Sequence, residues 1–167
     1  MCIRDSTDAS VSTTGTADDL TISGGTTHDV TLTSSTATED LTVTGAAVNA
    51  TAANIAGTVT VTAAESAALA AASAAGAVSV TAGTTATVTN LASAAAAVSV
   101  TGGTDVTVSN TVGTDLTISA GEEANITSTA TGAVSVTAGN NADITVNSAT
   151  GAVTYTCLLY TSPSPRD

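Results

Sequence analysis

The octamer GAVSVTAG stands at Gly76–Gly83 and again, unchanged, at Gly132–Gly139. Self-similarity at a fixed spacing constrains a fold strongly, because each short unit must bury its apolar residues against its neighbours. Related strings recur as AVSVTGG at Ala97–Gly103 and GAVTYT at Gly151–Thr156. Apolar pairs split by one small polar residue mark the period. They fall at Leu20/Ile22, Leu41/Val43, Val59/Val61, Val78/Val80, Val98/Val100, Leu116/Ile118, Val134/Val136 and Val153/Tyr155. The steps are 21, 18, 19, 20, 18, 18 and 19 residues. A second series lies about halfway between: Val30/Leu32, Val88, Val106/Val108, Ile126 and Ile144/Val146. The unit is therefore about 19 residues long and carries two short strands.

The alternation has period 2, so the apolar residues of each strand point one way and Thr or Ser the other. β-Branched residues dominate, as a pleated surface favours. Turns are supplied by Gly24-Gly25, Gly102-Gly103, Gly121 and Gly139-Asn140-Asn141, where glycine makes positive φ inexpensive. Stacked in register, the units bury one continuous stripe of Val, Leu and Ile. The expected fold is all-β, a parallel β-solenoid of about eight coils at roughly 4.8 Å each, a rod on the order of 40 Å long. The alternative is a β-sandwich of hairpin-joined strands. Near-identical units favour stacking like on like, and sandwiches usually need larger core residues.

One segment departs from the alternation. Thr62-Ala63-Ala64-Glu65 fits a capping box, and the following SAALAAASAAG is rich in helix formers and ends at Gly76. This predicts a short helix over 63–74. The competing reading is an Ala-lined coil in which Leu69 takes the strand position.

Composition narrows the function classes. Aromatic residues make up 1% of the 167 residues, with no Phe or Trp, which suits a narrow core better than a wide one. The net charge is −12, and with two Arg and no Lys there is no basic surface to hold phosphates, so no nucleic-acid binding is expected. No apolar run reaches the roughly 18 residues of a membrane helix, so no membrane insertion is expected.

Acidic residues recur directly before apolar strand residues, at Asp19, Asp29, Asp40, Asp105, Asp115 and Asp143, with Asn125 placed alike. Stacking is expected to bring Asp105, Asn125 and Asp143 into one column. With Asp29, these are the candidate calcium ligands, because hard oxygen donors at turns suit that ion. The competing reading is that Asp and Asn satisfy turn backbone groups and keep the rod soluble. The calcium nonapeptide GGxGxDxUx is not matched: GGTTHDV at Gly24–Val30 lacks its third glycine.

Outward Thr-x-Thr pairs at Thr31/Thr33, Thr42/Thr44, Thr60/Thr62 and Thr87/Thr89 suggest a face for ice or carbohydrate. Thr or Ser is nevertheless expected outside both strand series, with no face singled out. His28, the sole histidine, has no distinguished nucleophile or orienting acid to complete a triad. No zinc ligand set, phosphate loop or dinucleotide fingerprint occurs. The chain is not expected to be an enzyme, and no catalytic residue or organic cofactor is assigned.

With GAVSVTAG, AVSVTGGTDVTVS and GTDLTISAG in view, the middle of the chain resembles the strand-repeat regions of bacterial secreted surface proteins. Surface-layer (S-layer) proteins and large RTX-type or haemagglutinin-like adhesins are the families meant. The resemblance spans roughly residues 8–156 and rests on composition and period. It implies an extracellular or cell-surface location and a structural or adhesive role, often with calcium. Self-association, neighbouring repeats of the same chain and surface carbohydrate are the partners it admits.

The ends differ from the middle. Every Cys, Pro and Arg lies in MCIRDS or CLLYTSPSPRD. Back-translated as ATG TGT ATA AGA GAC AGN, the head has a reverse complement that encodes Cys-Leu-Leu-Tyr-Thr, the residues Cys157–Thr161. One DNA sequence in two orientations accounts for both ends, and it resembles the transposase adapter of sequencing-library preparation. Residues 1–6 and 157–167 are accordingly expected to be adapter-derived, and 7–156 a solenoid fragment of a longer repeat protein.

Overall fold

The computed structural model describes residues 2–4, 8–13, 19–25, 27–34, 40–89, 91, 93–94, 96–111, 115–129, 132–147 and 150–158. Every regular element among them is a strand, and none is a helix. In chain order these are β1 (Cys2–Arg4), β2 (Ala9–Thr13), β3 (Leu20–Ser23), β4 (Val30–Ser34), β5 (Leu41–Gly45) and β6 (Val48–Ile55). Next come β7 (Val59–Ala63), β8 (Ala67–Ala74), β9 (Val78–Ala82), β10 (Ala86–Thr89), β11 (Ser93–Ala94) and β12 (Val98–Gly102). The remainder are β13 (Val106–Thr111), β14 (Leu116–Ala120), β15 (Glu123–Ser128), β16 (Val134–Ala138), β17 (Asn141–Val146) and β18 (Val153–Cys157).

Two parallel sheets result. The front sheet runs β1-β3-β5-β7-β9-β12-β14-β16-β18, and the back sheet β2-β4-β6-β8-β10-β13-β15-β17, with β11 beside the end of β8. The chain passes from front to back and then forward again one rung higher, which is a β-solenoid. Parallel pairing excludes the sandwich, whose hairpin-joined neighbours run antiparallel.

Register follows the apolar series. Leu20 pairs with Leu41, Leu41 with Val59, Val59 with Val78, and so on through Val98, Leu116 and Val134 to Val153. On the back sheet Leu32, Ala50, Leu69, Val88, Val108, Ile126 and Ile144 form one column. The core lies between the sheets and is built almost wholly from buried Val, Leu, Ile and Ala. Ile55 and Leu91, which belong to neither series, are buried as well, where the chain leaves the back sheet.

The helix expected over 63–74 is not formed. Thr62 lies within β7, Glu65 in the following turn, and Ala67–Ala74 is strand β8, with Leu69 buried in the back-sheet column. Helix preference is worth at most about 1 kcal/mol per residue. Strand β8 is flanked on both edges, by β6 and by β10, and a helix would forfeit both ladders at roughly 1 kcal/mol per hydrogen bond. The coils on either side therefore override the local preference of alanine.

The corner from front to back sheet is nearly invariant. Each front strand of the middle coils ends in a small inward residue: Gly45, Ala63, Ala82, Gly102, Ala120 and Ala138 are in register. From Ala63 onward three residues then lead to the first inward residue of the back strand, as from Ala82 to Ala86 or Ala120 to Ala124. The first of the three is Ala64 in the corner after Ala63, and Gly83, Gly103, Gly121 or Gly139 in the corners above it. For the four glycines the pattern of contact is the same. Their amides donate to the carbonyls of Ala63, Ala82, Gly102 and Ala120 at 3.1–3.2 Å, so the ladder continues around the corner. A β-carbon on Gly103, Gly121 or Gly139 would strike the carbonyl oxygen of the glycine one coil below. These glycines are required by close approach. Positive φ occurs, among the described glycines, at Gly25 alone (φ 69°).

Candidate functional site

The carboxylates that precede strands act first on their own backbone. Asp40 Oδ1 accepts the amide of Thr58 at 2.6 Å and its hydroxyl at 3.0 Å. Asp19 accepts from the Asp40 amide at 3.3 Å, and Asp115 from the Ala133 amide at 2.8 Å. On the other sheet Asp8 accepts from Asp29 at 3.2 Å, and Asp29 from Ala47 at 3.1 Å. Each side chain reaches up one coil to the amide at the same position of the next. The Thr58 amide, and then its hydroxyl, stabilise the ionised form of Asp40 and hold its carboxyl below the ordinary aspartate range.

The four candidate calcium ligands do not share one column. Asn125 and Asp143 are direct register partners on the outer face of the back sheet. Asp105 sits two positions away from that column, because Val106 pairs with Ala124 and Thr107 with Asn125. Its column holds Glu123 and Asn141 above, and Thr85, Ser66, Ala47 and Asp29 below. Asp29 is thus in line with Asp105 but separated from it by three uncharged rungs. Among the described residues, no three His, Cys, Asp or Glu side chains gather closely enough to hold a metal ion.

The outer surface of the front sheet is uniform. Its first column reads Thr21, Thr42, Thr60, Ser79, Ser99, Thr117, Ser135 and Thr154. Its second reads Ser23, Thr44, Thr62, Thr81, Thr101, Ser119, Thr137 and Thr156. The back sheet is interrupted at the equivalent places by Asn49, Ala68, Ala70, Asn125 and Asp143. One face is therefore singled out, contrary to the expectation that both are alike. The signal was present in the sequence: every pair of the first series carries Thr or Ser at its middle and following positions, and the second series does not. Strand geometry sets the hydroxyl columns about 6.6 Å apart, with rungs about 4.8 Å apart.

Two smaller features complete the surface. A groove of about 240 Å³ on the back sheet is lined by Asp29, Thr31, Asn49, Ser66 and Ala68 together with Val30, Ala47 and Val48. It opens where Ala68 stands in a column otherwise filled by longer residues such as Asn49 and Thr87. His28 lies in the turn after β3, its Nδ1 2.9 Å from the Thr27 hydroxyl and 3.1 Å from the Gly24 carbonyl. It belongs to a turn network.

Comparison with protein-family models, with curated proteins and with solved structures gave no match to this chain.

Proposed function

We propose that the solenoid is a non-catalytic spacer or lattice element of a bacterial cell-surface or secreted protein. The supporting observation is the unbroken register of the front sheet from Leu20 to Val153, which makes the molecule a stack of equivalent rungs. A rod of this kind transmits length and stiffness, and its acidic, hydroxyl-rich exterior favours solvation. The resemblance to surface-layer and adhesin repeats supports the same reading and the same extracellular location. Antibodies against the purified chain should label intact, unpermeabilised cells of the source organism. Labelling that requires permeabilisation would sink this reading.

A second reading is favoured by one observation, the front face with Ser or Thr at every outward position from Thr21 to Thr156. A flat, regular hydroxyl array suits a repetitive ligand such as ice or a surface polysaccharide. The test substitutes Thr60→Lys and Thr117→Lys together. Ice-recrystallisation inhibition, or retention on an immobilised polysaccharide, should be present in the parent and lost in the variant. Inactivity of the parent in both assays rejects the ligand-binding role.

A further inference from the structure

Two stretches of the chain have the form Asn-x-Thr, at Asn49-Ala50-Thr51 and Asn125-Ile126-Thr127. That pattern is the acceptor for sugar transfer to asparagine and belongs on an accessible surface. Both lie on strands of the back sheet, β6 and β15. Alternation buries Ala50 and Ile126 and leaves each Asn and Thr exposed on the outer face. Register puts the two in the same columns. Asn49 lies below Ala68, Thr87, Thr107 and Asn125, and Thr51 below Ala70, Thr89, Ser109 and Thr127.

The two differ two residues before the acceptor, where Glu123 opens β15 but Ala47 precedes β6. Glu123, Asn125 and Thr127 are all exposed and alternate with buried Ala124 and Ile126. One face of β15 thus presents a carboxylate, a carboxamide and a hydroxyl in succession. An enzyme that binds an extended segment reads alternate side chains in separate pockets. Segment 123–127 offers it three polar handles, and segment 47–51 only two.

We propose that Asn125 is a glycosylation site, taken by an oligosaccharyltransferase in preference to Asn49 because of Glu123, before β15 is enclosed in its sheet. The co-substrate is a lipid-pyrophosphate-linked oligosaccharide. The carboxamide nitrogen of Asn125 forms a bond to C1 of the first sugar while the C1–O bond to pyrophosphate breaks. The lipid pyrophosphate leaves with that electron pair, and the nitrogen gives up one proton to a base of the transferase. Nothing is oxidised or reduced. Asn125 meets such a donor only on a chain that crosses a membrane, as the surface reading above requires.

The order of events follows from the ladder. Strand β15 is paired with β13 on one edge and β17 on the other. Once both have paired, its backbone is committed, and a transferase can draw 123–127 into its cleft only earlier. After folding, the sugar projects from the back sheet between Thr107 and Asp143 of the same column. The Ser/Thr face of the front sheet stays bare.

The test incubates the purified full chain with a bacterial oligosaccharyltransferase and its lipid-pyrophosphate-linked oligosaccharide. The chain is used folded, and also in urea that unfolds it while an acceptor peptide in the same tube is still modified. Intact mass reports transfer, and fragmentation locates it. The unfolded chain should gain one oligosaccharide at Asn125, and the folded chain far less. Asn125→Gln should abolish the gain, and Asn49→Gln should leave it unchanged. Glu123→Gln should lower the initial rate about tenfold, the effect of losing one charged contact. Because the substrate is unfolded, none of these variants has to fold. No gain by the unfolded chain, or a gain that survives Asn125→Gln, would overturn the site. Equal transfer to Asn49, or an undiminished rate in Glu123→Gln, would overturn the role of Glu123. Equal transfer to the folded chain would overturn the order of events. The labelling of intact cells decides the surface reading separately, so the two fail independently.

Discussion

At the scale of single residues, two side-chain rules hold the coils in place, and both act between positions one period apart. The first is a carboxylate that reaches upward to an amide, as Asp40 does to Thr58. Because its folded pKa is lowered, the stabilisation is complete above the ordinary aspartate value of about 3.9 and is lost as pH falls through the lower folded value. Asp40→Ala should therefore melt below the parent at neutral pH, and the gap should close in strong acid. Asp40→Asn, which keeps an acceptor oxygen, should recover part of the loss; a gap that persists unchanged at low pH would refute the assignment. The second rule is the absence of a side chain. Gly121→Ala places a β-carbon against the Gly103 carbonyl, which is backbone and yields little. Overpacking of this kind costs about 1–3 kcal/mol, and chemical denaturation should show it as a lowered midpoint with unchanged slope.

At the scale of elements, the Ala-rich strand β8 shows what alternation reveals and what it hides. Front strands were legible because Leu, Ile or Val contrasts with Thr and Ser at every second position. Strands β6 and β8 were not, since Ala50, Ala67 and Ala71 face inward while Ala68 and Ala70 face outward, and alanine gives no contrast. The same ambiguity misplaced the acidic column. Asp105 precedes the first inward residue of its strand, Val106, whereas Asn125 and Asp143 precede the second, Ile126 and Ile144. The first inward positions there are Ala124 and Ala142, which the apolar series skips. A slip of two residues therefore preserved the inward–outward pattern and left the columns wrong. The place of Asp19, Asp29, Asp40, Asp105 and Asp115 just before a strand could be read from sequence, whereas Asn125 and Asp143 lie inside β15 and β17. Two predictions belong here. Leu69 is 1% exposed and stacks on Ala50, so Leu69→Ala should cost about 2–5 kcal/mol in equilibrium unfolding. The paired change Ala68→Thr and Ala70→Thr on the outer face should raise the melting temperature, since strand preference spans about 1 kcal/mol per site. A fall in melting temperature would argue that β8 is held by something other than the ladder.

At the scale of the whole molecule, a net charge of −12 with two basic residues means that self-repulsion acts along the full stack. Raising sodium chloride should raise the melting temperature by screening, most steeply below about 0.15 M, where the Debye length exceeds roughly 8 Å. Calcium should add no shift beyond magnesium at equal ionic strength, because Asp29, Asp105, Asn125 and Asp143 do not converge. A calcium-specific shift would restore the ion reading and require a rearranged column. The one-coil register also bears on how the chain reaches this state. Strand partners lie 17 to 21 residues apart along the sequence among the described residues. Over the full chain this corresponds to a relative contact order of about 0.1, a value usual for helical bundles and low for an all-β protein. Every rung closes a loop of nearly the same length, so each step carries nearly the same entropic cost, and none waits on a distant partner. Folding can start at any rung and spread in both directions, and on the ribosome it can keep pace with synthesis, one coil behind the growing end.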